Sequence, residues 1–197
     1  MRGRACEEVD IDELFEAFVP LQIDCLAEHA DLIPGCLEAI AAMRERGMKI
    51  GSSTGYDSEM MRILAAEAAK RGFTPDAAVC GSDVPEGRPA PWMCMENARR
   101  LGVYPVEAIV KVDDTIPGIE AGLNCGMWTI AVAKTGNEIG LSREEVESLP
   151  RIEYDQRLTA AYQRLRQVGS HYVIDGIGDI LPCIDDIERR LAGGEKP

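Results

Sequence analysis

The sequence lacks any apolar run near the roughly 20 residues that a helix needs to span a bilayer, and its first ten residues are polar and mixed in charge. We therefore expect neither a membrane span nor a secretory signal. Positive charge is also scarce, with 21 lysines and arginines against 34 aspartates and glutamates and a net charge of −13. This balance excludes nucleic acid and anionic membrane surfaces as partners, because both need clustered basic residues.

Paired cysteine motifs are missing as well. The seven cysteines form no CxxC pair and no zinc-binding spacing; they stand at positions 6, 25, 36, 80, 94, 125 and 183. An odd, dispersed set of this kind predicts reduced thiols and a cytoplasmic location. The chain also has no internal repeat, and 197 residues predict one substantial domain with room for a small appendage.

Short apolar strand patterns alternate with helical patterns along most of the chain. The strand patterns end near residues 53, 80, 112, 132 and 174, and a segment of helical periodicity follows each. This alternation predicts an α/β fold with a doubly wound, mostly parallel sheet covered on both faces. Ligands of such sheets bind beyond the carboxyl ends of the strands, so the residues directly after each strand are the functional candidates.

The first strand leads into Ser53-Thr54-Gly55-Tyr56. A hydroxyl followed by glycine allows an Oγ and a backbone N–H to approach one phosphate oxygen together, close to the start of the next helix. Taken alone, the pattern is also typical of helix capping by Asp57 or Ser58.

An arginine between glycine and proline follows the second strand, in Gly87-Arg88-Pro89. Its backbone surroundings leave it little freedom, and a guanidinium held in place suits a tetrahedral oxyanion, to which it donates two parallel hydrogen bonds. The alternative is an ordinary surface arginine in a loop.

Two adjacent carboxylates, Asp113 and Asp114, end the third strand. Carboxylates at the end of an apolar strand suit Mg²⁺, which takes one or two of them together with waters and substrate oxygens. Successive side chains point in opposite directions, so we expect only one of the two to face the site. The alternative is a helix N-cap before Thr115-Ile116-Pro117.

These motifs resemble the haloacid dehalogenase superfamily and, within it, the phosphonoacetaldehyde hydrolase (phosphonatase) family. The stretches that carry the resemblance are 51–56 (Gly-Ser-Ser-Thr-Gly-Tyr), 83–93 (with Gly-Arg-Pro-Ala-Pro-Trp-Met), 111–115 (Lys-Val-Asp-Asp-Thr) and 124–129 (Asn-Cys-Gly-Met-Trp-Thr). The Gly-Arg-Pro-x-Pro-Trp-Met run is specific to the family, whereas the hydroxyl-Gly and Asp-Asp motifs occur throughout the superfamily. The resemblance covers nearly all of the chain from about residue 11 onward.

The resemblance implies a role for each motif. Thr54 and Gly55 would hold the phosphoryl group, Arg88 would clamp it, Tyr56 would lie at the substrate end, and Asp114 would bind Mg²⁺. The family reaction converts phosphonoacetaldehyde and water to acetaldehyde and phosphate, through a Schiff base on a cap lysine and attack by a core aspartate.

Neither of those two nucleophiles matches a position here. The early Val9-Asp10-Ile11-Asp12 run leads into a helix rather than out of a buried strand, and the first lysine is Lys49, in a core strand. The resemblance therefore implies that residues 1–30 are the remnant of a helical cap and residues 31–197 the α/β core. The helix predicted over 10–30 is expected to break at Pro20. Gly118 also replaces an acidic residue that the family often has four positions after the metal aspartate.

We hold three hypotheses open on this basis. The chain is a phosphonoacetaldehyde hydrolase family member that is inactive as it stands, a non-catalytic phosphate-binding or association protein, or a superfamily phosphatase acting on a small phosphate ester. A central strand of the family sheet has no counterpart in the sequence, so we expect a gap or an unusual pairing beside the strand that ends at Thr54. An open edge of this kind predicts self-association, most simply as a homodimer.

Overall fold

The computed structural model describes residues 7–197, which form eight α-helices and five short strands. The helices are α1 (Glu8–Leu26), α2 (Cys36–Glu45), α3 (Ser58–Lys70), α4 (Trp92–Leu101), α5 (Ile116–Cys125), α6 (Arg143–Ser148), α7 (Arg151–Gln167) and α8 (Ile180–Ala192). The strands are β1 (Gly51–Ser53), β2 (Ala77–Val79), β3 (Val110–Asp113), β4 (Trp128–Val132) and β5 (Tyr172–Ile174). The predicted α/β alternation is thus confirmed.

All strand pairs are parallel, and the strands fall into two groups. β1 pairs with β2, while β3, β4 and β5 form a second sheet in that order. In the part of the chain that the structure describes, no strand joins β1 to β3. A cavity of about 820 Å³ lies between them, with residues 49–54 along one side and 108–114 along the other. The predicted gap beside the Thr54 strand is therefore confirmed, and we name this cavity the slot.

The core is built around β4, whose residues are all buried. Trp128, Ile130 and Val132 pack on one face of the sheet against apolar residues of α2 and α8. Ala131 lies on the opposite face with Ile119 of α5 and Leu165 of α7. This alternation between two covered faces is what a buried parallel strand requires.

Local sequence signals start and stop the helices around the sheet. Asp57 caps α3 by accepting a hydrogen bond from Met60 N at 2.9 Å, and Thr115 caps α5 by accepting one from Gly118 N at 3.1 Å. Gly126 ends α5 with a φ of 76°, a left-handed conformation that glycine adopts without strain. Asp114 is therefore not the N-cap that one sequence interpretation allowed.

The expected break at Pro20 is wrong, because α1 continues through this residue to Leu26. Pro20 lies on an exposed side of the helix. There the proline ring meets solvent, and water can satisfy the carbonyl that loses its N–H partner, so the helix tolerates the loss. α1 packs against α3. The division into residues 1–30 and 31–197 stays a prediction.

Six cysteines lie within the described residues, and all six are free thiols. Cys6 lies outside the described residues. Within residues 7–197, no helix is both long enough and apolar enough to cross a membrane.

Candidate functional site

The carboxyl ends of β1 and β3 meet the loop before α4 at one end of the slot. Thr54 follows β1, Arg88 lies in the loop, and Asp114 follows β3; all three line the slot. The structure therefore brings these three predicted residues to the same edge of the fold, as parallel strands require.

The guanidinium of Arg88 lies close to the backbone of Gly55 at this end of the slot. A Cβ at position 55 would lie 3.1 Å from Nη2 of Arg88, so a larger residue there would require the guanidinium to shift by a few tenths of an ångström. The Arg88 side chain is 26% exposed and makes only long contacts, at 3.5 Å to Asp113 Oδ2 and 3.4 Å to Thr115 Oγ1. Its guanidinium therefore has N–H donors available for an anion.

Thr54 and Tyr56 form a tight turn directly after β1. Thr54 N donates to Val79 O at 3.0 Å, and Tyr56 N donates to Thr54 Oγ1 at 3.2 Å. Gly81 N in turn donates to Tyr56 O at 2.8 Å. The turn fixes the position of the Thr54 hydroxyl, which keeps its own proton to donate. Asp57 caps α3, as the capping interpretation of this stretch predicted, and the cap does not use the Thr54 hydroxyl.

Asp113 is the centre of a buried network that the sequence interpretation left without a role. Its side chain is 8% exposed, and its Oδ2 lies 2.9 Å from the Lys111 ammonium. Its Oδ1 accepts hydrogen bonds from Thr115 N at 3.0 Å and Thr115 Oγ1 at 2.7 Å. Burial by itself would raise the pKa of the Asp113 carboxyl, but Lys111 and the hydrogen bonds from Thr115 hold that pKa below its ordinary value.

Lys111 connects β3 with β1 across the slot. Its Nζ donates to Ser53 Oγ at 2.9 Å in addition to its ion pair with Asp113, and its side chain is 12% exposed. Room for its stem comes from Gly122, where a Cβ would lie 2.8 Å from Cβ of Lys111. The sequence showed Lys111 only as a strand residue, and the glycine in the following helix was the one signal that a neighbour approaches closely.

Asp114 points away from this network, toward the loop after β4. Its Oδ2 accepts a hydrogen bond from Asn137 N at 2.8 Å. Its Oδ1 has no hydrogen-bond donor among the described residues, so one carboxylate oxygen stays available. The two aspartates thus diverge, as alternation along a strand predicts.

The carboxylate oxygens at this end of the slot determine how a magnesium ion would bind here. Within residues 7–197, no group of three or more His, Cys, Asp or Glu side chains could hold a metal ion. Mg²⁺ does not need such a group, because it keeps several waters and is commonly held by one or two carboxylates and substrate oxygens. Asp114 fits this mode with one oxygen, whereas both oxygens of Asp113 already have partners.

Taken together, the end of the slot presents the Arg88 guanidinium, the Lys111 ammonium with its counter-ion Asp113, and the hydroxyls of Ser53 and Thr54. These groups suit a tetrahedral oxyanion, since a guanidinium and hydroxyls donate hydrogen bonds to its oxygens. The net charge of the chain is strongly negative and Lys111 is paired with Asp113, so Arg88 is the cation that would attract an anion to this end of the slot.

Comparison with known proteins gives the same assignment. A family model of haloacid dehalogenase-like hydrolases matches residues 2–126. A phosphonoacetaldehyde hydrolase-like protein of Syntrophobacter fumaroxidans is 47% identical over 197 residues, which is all of this chain and 71% of that protein. A phosphonoacetaldehyde hydrolase of Nitratidesulfovibrio vulgaris is 45% identical over all of this chain and 70% of its own length.

A solved structure agrees. The crystal structure of a phosphonoacetaldehyde hydrolase-like protein from Oleispira antarctica superposes with a TM-score of 0.93 at 43% identity, covering 100% of this chain and 71% of that one. The chain therefore belongs to the haloacid dehalogenase-like hydrolases and, within that class, to the phosphonoacetaldehyde hydrolase family. The resemblance found in the sequence is confirmed.

Proposed function

We propose that this chain binds the phosphoryl group of phosphonoacetaldehyde, or of a closely related small phosphonate, and does not by itself turn it over. The observation that carries the binding half is the guanidinium of Arg88, packed against Gly55 and beside the Thr54 turn. The family name of the relatives supplies the substrate, which is a phosphonate bearing an aldehyde.

The absence of turnover follows from how the reactive groups near the site are already used. A nucleophilic carboxylate needs an oxygen free to attack phosphorus. Both oxygens of Asp113 are engaged by Lys111 and Thr115, and Asp114 turns toward Asn137. Neither aspartate is therefore placed as the nucleophile.

The lysines near the slot are equally occupied. A Schiff base forms only on a neutral, accessible amine. Lys111 Nζ is paired with Asp113 and Ser53. Lys49 lies before the start of β1, and its Nζ donates to Leu101 O at 2.6 Å. Neither amine is placed to form an imine with an aldehyde whose phosphoryl group lies against Arg88.

Magnesium belongs to this proposal as the cofactor, with Asp114 as its protein ligand. The ion would neutralise phosphoryl oxygens and so strengthen binding, a role that needs one carboxylate oxygen and no nucleophile. Arg88, Thr54 and Gly55 would orient the same group from the other side, and Tyr56 would lie at the substrate end. Free thiols at the six described cysteines support a reducing, cytoplasmic location.

The test measures binding and turnover separately. Isothermal titration with inorganic phosphate and Mg²⁺ should give weak, magnesium-dependent binding, while a coupled assay with phosphonoacetaldehyde should detect no acetaldehyde. Arg88→Ala should weaken phosphate binding at least tenfold, since charge-assisted hydrogen bonds are worth about 1.5–3 kcal/mol. The control is Arg99→Ala, because Arg99 is an exposed partner of Glu96 on α4. Acetaldehyde release, or equal binding by both variants, would overturn the proposal.

We further propose that the chain self-associates through α1. The helix exposes a row of large apolar side chains at helical spacing, each more than half exposed: Ile11, Leu14, Phe18 and Leu21. An exposed apolar stripe of this length on a helix is typical of a surface that another helix covers, and a second copy of α1 offers a matching stripe.

A further inference from the structure

The segment that follows β4, residues 134–139, lies against the carboxylate of Asp114, and we name it the β4 loop. Asn137 N donates to Asp114 Oδ2 at 2.8 Å. The donor is a main-chain N–H, so the course of the loop, and not a side-chain rotamer, decides where it points. Any contact that holds the main chain of this loop therefore also holds the proposed magnesium ligand.

Gly136 allows the β4 loop to approach Asp114 this closely. A Cβ at position 136 would lie 2.6 Å from Asp114 Cβ and 2.5 Å from Val132 O. Real Cβ atoms essentially never approach another atom within 3.0 Å, so a side chain at position 136 would displace the loop or the aspartate. Because Val132 belongs to the buried strand β4, its carbonyl cannot move aside without disturbing the sheet.

A β-turn within the loop presents the Asn137 N–H to Asp114. Ile139 N donates to Gly136 O at 3.2 Å, which closes a four-residue turn with Asn137 at its second position. This hydrogen bond uses the first C=O and the fourth N–H of the turn, so the N–H of the second residue stays free to donate outward. Ile139 is buried, so the turn is packed onto the protein.

Helix α7 holds the start of the β4 loop through Asp175. Lys134 N donates to Asp175 O at 2.9 Å, and the hydroxyl of Tyr162 on α7 donates to Asp175 Oδ1 at 2.5 Å. Burial and the hydrogen bond to Asp175 raise the pKa of Tyr162 to about 12, so the phenol keeps the proton that it donates. The residue directly after β5 thus connects the loop to α7.

The same helix holds the end of the β4 loop through Arg164. Its Nε donates to Glu138 Oε2, and its Nη2 donates to Glu138 O at 2.9 Å. Glu138 follows Asn137 in the turn, so the guanidinium holds both the side chain and the main chain beside the N–H that reaches Asp114. The Arg164 side chain is 47% exposed, and a pair at the surface adds little to the stability of a whole fold. We therefore expect its effect to be local.

We propose that the ion pair of Glu138 and Arg164 sets the magnesium affinity of Asp114, by holding the loop whose main chain orients that carboxylate. Both are positioning residues that act through the N–H of Asn137. Groups that hydrogen-bond to a metal-binding side chain commonly change metal affinity by about 10–100-fold when they are lost. The inference rests on the proposed function, because it takes Asp114 as the magnesium ligand.

The experiment uses the whole 197-residue chain with Mn²⁺ and inorganic phosphate as probes. Mn²⁺ stands in for Mg²⁺ because both ions prefer carboxylate, carbonyl and water oxygens, and electron paramagnetic resonance reports the unbound Mn²⁺ directly. Added Mg²⁺ should displace the bound ion. An acidic chain also collects divalent cations at its surface, so Asp114→Asn defines the part of the binding that belongs to this site.

Asn137→Pro removes the N–H that reaches Asp114. Proline is favoured at the second position of a β-turn, and Gly136 before it has no Cβ to meet the proline ring, so the turn should persist. Asn137→Ala is the matched control, since it loses the same side chain and keeps the N–H. We expect the Asp114-dependent affinity for Mn²⁺ to be about tenfold lower in Asn137→Pro than in Asn137→Ala.

Arg164→Ala tests the ion pair at a distance from the carboxylate. It should weaken Mn²⁺ binding about fivefold, less than loss of the N–H itself. Arg164→Lys should recover part of the affinity, because it keeps a charge for Glu138 without the planar fork of the guanidinium. The control is Arg157→Ala, since Arg157 pairs with Glu153 within α7. Phosphate binding without metal should be equal in these three variants, whereas general loosening of the fold would weaken it.

The outcomes separate this inference from the proposed function. Equal Mn²⁺ affinity in Asn137→Pro and Asn137→Ala, or in Arg164→Ala and Arg157→Ala, would overturn the inference and leave the proposed function standing. A parallel loss of metal-free phosphate binding in Arg164→Ala would also overturn it, because the pair would then support the fold as a whole. Unchanged Mn²⁺ binding in Asp114→Asn would overturn the magnesium part of the proposed function, and this inference with it.

Discussion

The carboxylate of Asp113 fills the space that a side chain at Gly118 would need. A Cβ at position 118 would lie 2.0 Å from Cγ of Asp113, far inside van der Waals contact. The family often has an acidic residue at this position. From the sequence alone, the glycine therefore indicated a metal site with fewer carboxylates. In the structure, the Asp113 carboxylate lies directly against the backbone of Gly118 and pairs with Lys111.

This relationship predicts strong coupling between the two positions. Gly118→Ala should destabilise the chain by about 2 kcal/mol, because overpacking typically costs 1–3 kcal/mol. Asp113→Ala should also be costly, by about 3 kcal/mol, since it leaves the buried Lys111 without its counter-ion. In the double variant the alanine at 118 should be neutral or stabilising, because the space is free and alanine favours helix over glycine by about 1 kcal/mol.

Urea unfolding of the four proteins in this cycle measures the coupling. We expect an interaction free energy of at least 1 kcal/mol in favour of the double variant. Additive effects would mean that the backbone moves to accommodate the alanine, and that the two residues do not share one space.

Gly55→Ala should weaken phosphate binding about threefold without unfolding the chain. The added Cβ would meet Nη2 of Arg88 at 3.1 Å, so the guanidinium must shift by a few tenths of an ångström and lose part of its alignment with the anion. Gly87→Ala is the control, because a Cβ there meets nothing within 4 Å. Titration calorimetry with phosphate and Mg²⁺ compares the two, and equal affinities would separate Gly55 from the oxyanion site.

His171 should make stability fall in mildly acidic solution. Its Nδ1 accepts a hydrogen bond from Thr129 N at 3.1 Å, which requires the neutral ring. Burial and the nearby Arg190 lower the pKa of His171 below its ordinary value of 6.5, although Glu195 acts in the opposite direction. The unfolded chain therefore binds the proton more readily than the folded one. The contribution to stability is complete above pH 6.5 and is lost as the pH falls toward the folded pKa.

The measurement is the unfolding free energy of the chain between pH 7.5 and 5. His171→Asn keeps an acceptor near the position of Nδ1 but cannot be protonated, so its stability should decline less steeply over this range. Parallel curves for the two proteins would show that carboxylates alone cause the decline.

Self-association should depend on the apolar stripe of α1. Leu14→Arg or Phe18→Arg should shift the chain from dimer to monomer in size-exclusion chromatography with light scattering, because each places a charge in an apolar contact. Leu14 is 68% and Phe18 55% exposed, so neither change should reduce the melting temperature by more than a few degrees. Glu16→Arg on another side of the helix controls for the added positive charge, and an unchanged mass in all variants would assign any dimer to another surface.

Several features of the fold could be predicted from local sequence alone. The ends of α2, α3 and α5 follow from local sequence, because Gly47, Gly72 and Gly126 adopt the left-handed conformation that stops a helix. The lengths of the strands did not follow in the same way, since an apolar run shows where a strand passes but not how far its neighbours pair with it. The strand pattern that ends at Ser53 begins at Met48 in the sequence, whereas pairing with β2 begins at Gly51.

The site was predictable only in part. Thr54, Arg88 and Asp114 stand out because parallel strands bring their following residues to one edge, and a one-dimensional pattern is enough to place them there. Lys111 and Asp113 did not stand out. Their roles depend on a contact with Ser53 across the slot and on space left by Gly118, and no local pattern encodes either.

The sequence by itself thus determined the α/β class, the family and the residues that meet at the carboxyl ends of the strands, because these follow from periodicity and from motifs that act over a few positions. Tertiary structure alone decided which aspartate has both oxygens engaged and which keeps one available, and that β1 and β3 face each other across a cavity. Both depend on distances between residues far apart in the chain, such as the 2.9 Å from Lys111 Nζ to Ser53 Oγ, and only packing sets such distances.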